Sequence, residues 1–246
     1  MKARYLLTIL SFLILLNGTE TMAQKSFERD TIMTGNGPVE LWFLGHGTLM
    51  LKYNDKIIHV DPYSSVADYA TLPKSDLILI THQHGDHLDL NAIEKTKKST
   101  TQIYCNTLSA PKLPGATVMK NGDVSMYGDI RIEAVPAYNI KHERSPGNPF
   151  HPAGEGNGYV LTMSDKKVYV AGDTENIPEM AKLKDIYVAF LPMNIPYTMT
   201  PEMVAEAVRM FCPAILYPYH YGNTDTGLLL PLIDRSKTEV RIRDLK

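Results

Sequence analysis

The sequence predicts a layered α and β protein: one large domain in two similar runs of strands, with helices packed outside. Three observations predict it. Short apolar runs separated by turn residues recur in both halves of the chain. In each half a segment of helical period follows the strands, the arrangement that lays helices on sheets. The chain of 246 residues, 44% hydrophobic and without a low-complexity stretch, is long enough for one substantial core.

The first element is not part of that domain. Lys2 and Arg4, the apolar run Tyr5 to Leu16 and the small-residue site Thr21-Met22-Ala23 read as a secretory signal peptide over residues 1–23. The run is well short of the roughly 20 residues that a membrane-spanning helix needs. The mature domain is therefore expected to be residues 24–246, exported to the periplasm or secreted, with no stable membrane insertion after cleavage. A formal net charge of −2 argues against capture of nucleic acid or of an anionic membrane and points to a small-molecule substrate. The two cysteines, Cys105 and Cys212, have no C-x-x-C spacing, which excludes a thiolate zinc site. They either pair or stand as buried free thiols.

Along the mature chain, Val39 to Leu44, Thr48 to Tyr53 and Lys56 to Val60 read as strands. Gly45-His46-Gly47 and Asn54-Asp55 are the turns between them. Asp76 to Ile80 is apolar without alternation, the mark of a strand covered on both faces. Leu88 to Lys97 has helical spacing with an outward lysine face, and Gln102 to Cys105 returns to strand. In the second half Ile130 to Pro136, Gly158 to Met163, Lys167 to Ala171 and Ile186 to Leu191 read as strands. Thr200 caps a helix that runs to Met210, with Pro201 at its first position. Ala214 to Tyr217 is a strand, Leu228 to Arg235 reads as helix, and Glu239 to Arg243 as a last strand. Trp42 and His59, both inside strands, read as core residues.

Directly after the buried strand at Asp76 to Ile80 comes Thr81-His82-Gln83-His84-Gly85-Asp86-His87. Three histidines and an aspartate within six residues are dense for a chain of eight histidines. Ligand sites gather beyond the carboxyl ends of such strands. Residues two apart on an extended segment face the same way, so His82 and His84 can grip one ion. Asp86 and His87, on the turn into the helix, are free to reach a second. Imidazole with carboxylate suits zinc, with manganese or iron as alternatives.

This H-x-H-x-D-H motif after a buried strand resembles the signature of the metallo-β-lactamase superfamily, and the resemblance extends from about Gly37 to Arg243. It implies a four-layer αββα sandwich with the metal centre at one edge. Ala171-Gly172-Asp173-Thr174 resembles the segment whose aspartate bridges two metals, and Tyr217-Pro218-Tyr219-His220-Tyr221 the segment that supplies the last histidine. Asp61-Pro62 resembles the early aspartate that braces the metal-binding loop. His46, in Leu44-Gly45-His46-Gly47-Thr48, matches a motif of the branch with ascorbate-6-phosphate lactonase and N-acyl-phosphatidylethanolamine phospholipase D; it either lines the substrate cleft or bonds backbone in its turn.

The sequence departs from its relatives at one ligand. Where they place a histidine after Pro-Ala-aromatic, Val135-Pro136-Ala137-Tyr138 leads here to Asn139. His142 and His151 are the candidates to replace it. His151, in Asn148-Pro149-Phe150-His151-Pro152, is preferred, because two prolines stiffen its loop. His142 lies among Lys141, Glu143 and Arg144 and reads as solvent-exposed. The implied activity is hydrolysis of an ester, lactone or phosphodiester by a metal-activated water, with Asp86 orienting it. Two alternatives are a non-catalytic metal-binding protein and a di-iron oxidoreductase of the same fold, though the latter place glutamate where His84 stands. The loops Tyr138 to Gly158 and Asn194 to Thr200 are expected to wall the cleft.

Overall fold

The computed structural model describes residues 26–246, so the signal-peptide reading of residues 1–23 lies outside the described residues. The first sheet holds seven strands in sequential order. They are β1 (Arg29–Thr34), β2 (Gly37–Gly45), β3 (Thr48–Tyr53), β4 (Lys56–Val60), β5 (Ser75–Ile80), β6 (Lys97–Cys105) and β7 (Thr117–Val118), with helix α1 (Leu90–Thr96) crossing from β5 to β6. Neighbours β1 to β4 are antiparallel, and those from β4 to β7 are parallel.

The second sheet repeats this plan. Its strands are β8 (Val124–Tyr127) and β9 (Ile130–Ala137), then β12 (Gly156–Met163), β13 (Lys166–Val170), β14 (Ile186–Pro192), β15 (Ile215–Tyr219) and β16 (Glu239–Val240). A small hairpin of β10 (Glu143–Ser145) and β11 (Asn148–Pro149) rises between β9 and β12. Helix α2 (Pro201–Phe211) crosses between β14 and β15. Antiparallel pairs again give way to parallel ones, from β13 onward.

Alternation along the strands builds the four layers. Val39, Leu41 and Phe43 of β2 and Ile215, Tyr217 and Tyr219 of β15 share one core between the sheets. There Phe43 meets Tyr217 with ring centroids 5.0 Å apart. Such an aromatic pair contributes roughly 0.5–1.5 kcal/mol beyond its buried area. Leu77 and Leu79 of β5 enter that core while Ile78 and Ile80 pack outward, so the unbroken apolar run is a strand covered on both faces. Ala92 and Ile93 of α1 cover the outer face of the first sheet, and Val204, Ala207 and Phe211 of α2 that of the second. Thr200 caps α2 by accepting from the Met203 N–H. No helix among the described residues is long and apolar enough to cross a membrane.

Several boundaries differ from the sequence reading, each for a local reason. Helix α1 begins at Leu90 because the Asp89 side chain caps it, and Leu88 belongs to the preceding turn. Leu228 to Arg235 is not an α-helix: a 3-10 helix spans Thr226–Leu232, where Pro231 offers no N–H. The last strand stops at Val240, and beyond it Arg241 and Arg243 pair with Asp30 on β1. The strands that pattern-reading missed, β1, β7, β8, β10 and β11, lie at sheet edges or in the small hairpin and expose most of their residues. Strand β6 starts five residues early, over an exposed polar stretch.

Trp42 is half-buried rather than core. With Val39, Leu41 and Phe43 facing inward, period two turns Trp42 outward, where it packs under the Arg29 guanidinium at 5.1 Å. His59 is fully buried with Nε2 on the Pro73 carbonyl, and burial pushes its pKa down to about 4. The cysteines are both free, Cys105 buried and Cys212 exposed at the left-handed end of α2.

Candidate metal centre

Every residue singled out from the sequence as a donor or its brace follows a strand or the small hairpin closely. His46 comes after β2, Asp61 after β4, the His82 to His87 loop after β5, His151 after β11, Asp173 after β13 and His220 after β15. The two sheets thus deliver their carboxyl ends to one edge of the sandwich, where strand ends leave the backbone free to turn. The turning is severe: His46, Asp61 and His220 all have left-handed backbone, with φ of 54°, 45° and 47°. That conformation costs a residue with a Cβ roughly 1–2 kcal/mol, so three strained side chains at one place mark a site the fold is built to hold.

The imidazoles converge on Asp173. Its Oδ2 lies 3.3 Å from His151 Nε2, 3.6 Å from His220 Nε2 and 3.8 Å from His82 Nε2, and its Oδ1 lies 3.5 Å from His87 Nε2. On one side His82 Nε2 and His84 Nδ1 are 3.0 Å apart, and His151 completes a group of three whose donor atoms lie within 4.8 Å of one another. On the other side Asp86, His87, His220 and His46 form a second such group. Asp86 Oδ2 lies 3.0 Å from His46, 3.5 Å from His220 and 3.6 Å from His87.

The orienting contacts fix which nitrogen faces the centre. Asp61 accepts from the Thr81 N–H at 2.8 Å, from the Thr81 hydroxyl, and from His87 Nδ1 at 2.8 Å, which leaves His87 Nε2 aimed at Asp173. His82 Nδ1 bonds the same Thr81 hydroxyl at 3.0 Å. A carboxylate behind an imidazole of this kind sets its tautomer and raises its basicity. His151 is held otherwise. Its Nδ1 donates to Asn139 Oδ1 at 2.7 Å, and the Asn139 amide in turn donates to Glu175 Oε1 and to the Tyr197 carbonyl. Asn139, at the position where the resemblance implies a histidine ligand, is here the clamp on His151.

Glu175 is the residue that sequence reading missed. Fully buried, it accepts from the backbone N–H groups of Ile140, Lys141 and His142, from Asn139 and from His142 Nδ1 at 2.7 Å. Its one sequence signal was its place two residues after Asp173. His142 is accordingly half-buried on Glu175 rather than solvent-exposed, and it belongs to neither donor group. His46 lines the cleft, one of the two roles expected of it, and its Nε2 also bonds Asp86.

The donor set fits a cation. Among the described residues, His87 Nε2, Asp173 Oδ1 and both ring nitrogens of His220 are buried without a hydrogen-bond partner. Buried polar atoms left unpaired are costly, and a divalent ion between them removes that cost. The electrostatics agree. Burial opposes the charged form of His87, yet Asp173 and Asp61 outweigh it and hold the pKa well above the usual range. A field that holds a proton there attracts a cation equally. Burial pushes His82 well below the usual histidine range, which keeps it the neutral imidazole a ligand must be. Burial raises Asp173, but His220 and His87 beside it overcome this and hold it ionised.

Gly47 shows how closely the β2–β3 turn approaches. A Cβ built there would stand 2.9 Å from His87 Cε1 and 3.3 Å from His220 Cδ2. Gly47→Ala should push His87 off its Asp61 bond and weaken metal binding by about tenfold or more, the order of loss seen when a ligand's orienting partner goes. Titration against a chromophoric chelator reads this directly, and unchanged affinity would mean the turn yields.

The centre opens into a cleft of about 450 Å³, lined by His84, Asp86 and His220 and by Arg144, Phe150 and Tyr197. The loops Tyr138 to Gly158 and Asn194 to Thr200 thus supply its walls. A separate apolar cavity of about 280 Å³, with Val135, Ile177, Met180 and Leu183, contains none of the donors.

The sequence matches the β-lactamase superfamily domain over residues 40–220. It is 32% identical over 198 residues to a UPF0173 metal-dependent hydrolase of Thermococcus kodakarensis, covering 75% of this chain and 85% of the relative. A UPF0173 metal-dependent hydrolase of Enterococcus faecalis is 34% identical over 196 residues, covering 75% and 87%. A crystal structure assigned as a metal-dependent hydrolase from Parabacteroides distasonis superposes with a TM-score of 0.86 at 51% identity, covering 90% of this chain and all of that one. A metallo hydrolase of Ignicoccus hospitalis shares the fold, with a TM-score of 0.69 at 23% identity, covering 84% and 95%.

Proposed function

Because the chain belongs to the β-lactamase superfamily and is a metal-dependent hydrolase, we propose that it cleaves an ester, lactone or phosphodiester bond of a small molecule at a centre of two zinc ions. His82, His84 and His151 would hold one ion, and Asp86, His87 and His220 the other, with Asp173 between them. The observation that carries this reading is the convergence of two separate donor groups on the single carboxylate of Asp173, beside an open cleft.

The ions, when bound, supply activation of water near neutral pH and polarisation of the attacked bond. The chain's own residues do the rest. Asp61 and Thr81 lock His82 and His87, and Asn139 locks His151, so the donors need no reorganisation when the ions bind. Asp86 is one-third exposed toward the cleft and bonded by His46. From there it orients the attacking water and accepts its hydrogen bond. His46 holds that carboxylate in place.

Elemental analysis of purified protein should find about two zinc ions per chain, with manganese or iron as the alternatives. A screen of lactone, ester and phosphodiester probes should find turnover of at least one class that a chelator removes. Full metal content with no turnover of any probe would refute the ester, lactone and phosphodiester reading.

We also propose that the protein is exported, to the periplasm or secreted, because Lys2, Arg4 and the apolar run Tyr5 to Leu16 read as a signal peptide. Sequencing the N-terminus of material exported by a suitable host should begin at or near Gln24. A product that starts at Met1 and stays in the cytoplasm would refute this.

A further inference from the structure

We propose that Arg144 is an anion-binding residue of the cleft, and that the substrate therefore carries a carboxylate or phosphate group close to the bond that is cut. The inference rests on the hydrolase reading above and adds the charge of what that site accepts.

Arg144 sits in the middle of β10 in the small hairpin, and lines the same cleft as His84, Asp86 and His220. Its guanidinium rests over the Phe150 ring, 5.1 Å from the centroid, and its Nη2 lies 3.2 Å from His84 Nε2. The side chain is exposed, yet an aromatic face braces it and its tip reaches His84 at the metal centre. Phe150 in turn packs edge-on against Tyr197 at 5.1 Å, so the two cleft loops meet at an apolar wall beside the cation.

The charge on Arg144 is not used up within the fold. Arg29, Arg131, Arg241 and Arg243 each pair with a carboxylate, while Arg144, Arg209 and Arg235 have no described carboxylate within ion-pair distance, and of these three only Arg144 lines the cleft. Its sequence neighbour Glu143 turns away and accepts from the Gly147 N–H at 2.9 Å. Among the described residues no other lysine or arginine lines the cleft. The base of the hairpin is anchored, since Glu175 accepts the backbone N–H groups of residues 140 to 142 just before it.

A planar guanidinium with free N–H groups matches a carboxylate or phosphate, and bonds of this charge-assisted kind are about twice as strong as neutral ones. The apolar wall of Phe150 and Tyr197 alongside it fits an anion that carries a hydrophobic or aromatic portion.

The test is calorimetric titration of phenyl phosphate and of phenylacetate into metal-loaded wild type, Arg144→Gln and Arg144→Lys, with metal content measured in each. Wild type should bind at least one of the two, and the tighter one tells phosphate from carboxylate recognition. Arg144→Gln should weaken that binding at least tenfold with its metal retained, and Arg144→Lys should recover part of the loss. In parallel, the loss of turnover in Arg144→Gln should be at least tenfold larger on bis(p-nitrophenyl) phosphate than on a neutral p-nitrophenyl ester. Wild type that binds neither anion, or Arg144→Gln that binds as tightly as wild type, overturns the proposal. So do equal losses on the charged and neutral probes, which leave the hydrolase reading standing. Arg144-dependent binding in a protein that turns over no probe supports the anion site and counts against hydrolysis alone.

Discussion

The variant His82→Ala/His84→Ala should lose the ion on its side of Asp173 and with it all measurable turnover. Two of the three nitrogens in that donor group disappear, leaving His151 with a shared carboxylate. Removal of a mere orienting partner costs about 10–100-fold in affinity or activity, so removal of two donors should exceed that range. Stability should fall as well, because an ion bound only by the native state stabilises it by mass action, about 4 kcal/mol at a thousandfold excess over Kd. For a domain of this size that corresponds to a Tm lower by roughly 8–16 °C when metal is present. After exhaustive chelation the difference between variant and wild type should shrink, since neither then draws on the ion. Elemental analysis alongside differential scanning calorimetry checks both halves. A double variant with full metal content would show that the ion is held elsewhere.

The second large effect is expected at His151, and it discriminates between neighbours on one loop. His151→Ala removes the third nitrogen of that group and leaves His82 and His84 as a weak pair, so metal content on that side should fall with turnover. His142→Ala should keep its metal. Its imidazole is 2.7 Å from Glu175 and takes part in neither donor group, so the cost should be one hydrogen bond to a buried carboxylate, about 1.5–3 kcal/mol of stability. Asn139→Leu should fall between them, because it keeps the His151 ring but releases Nδ1. Zinc affinity measured for the three variants should order them His151→Ala weakest, Asn139→Leu intermediate, His142→Ala near wild type. The assignment is falsified if His142→Ala loses its ion while His151→Ala keeps it.

Much of the fold was legible because its signals are local. β5 reads as doubly covered from Leu77 to Ile80 alone, and α2 is announced by Thr200 and Pro201. Edge strands were illegible for the opposite reason. Arg29 to Thr34 pairs on one side only and exposes half of its side chains, so little apolar pattern is imposed on it. Trp42 shows the limit even inside a well-read strand. Period two separates two faces but does not say which one meets the larger core; the number of inward partners, Val39, Leu41 and Phe43, decides that.

The sequence by itself determined which residue types gather at the centre. His82, His84, Asp86 and His87 are contiguous, and contiguous residues after a buried strand need no knowledge of the rest of the chain to be placed together. Only the tertiary structure decided what stands opposite them. Asn139 and His151 are twelve residues apart, and which of them faces His82 depends on the path of the loop between. That path is set by Glu175, a carboxylate buried just after β13 that gathers five donors from residues 139 to 142. A buried carboxylate must satisfy its oxygens wherever donors can reach it, and three of those five donors are main-chain N–H groups, which every residue but proline carries. Such a contact has no signature in residue type or spacing, so it appears only once the chain has closed around it.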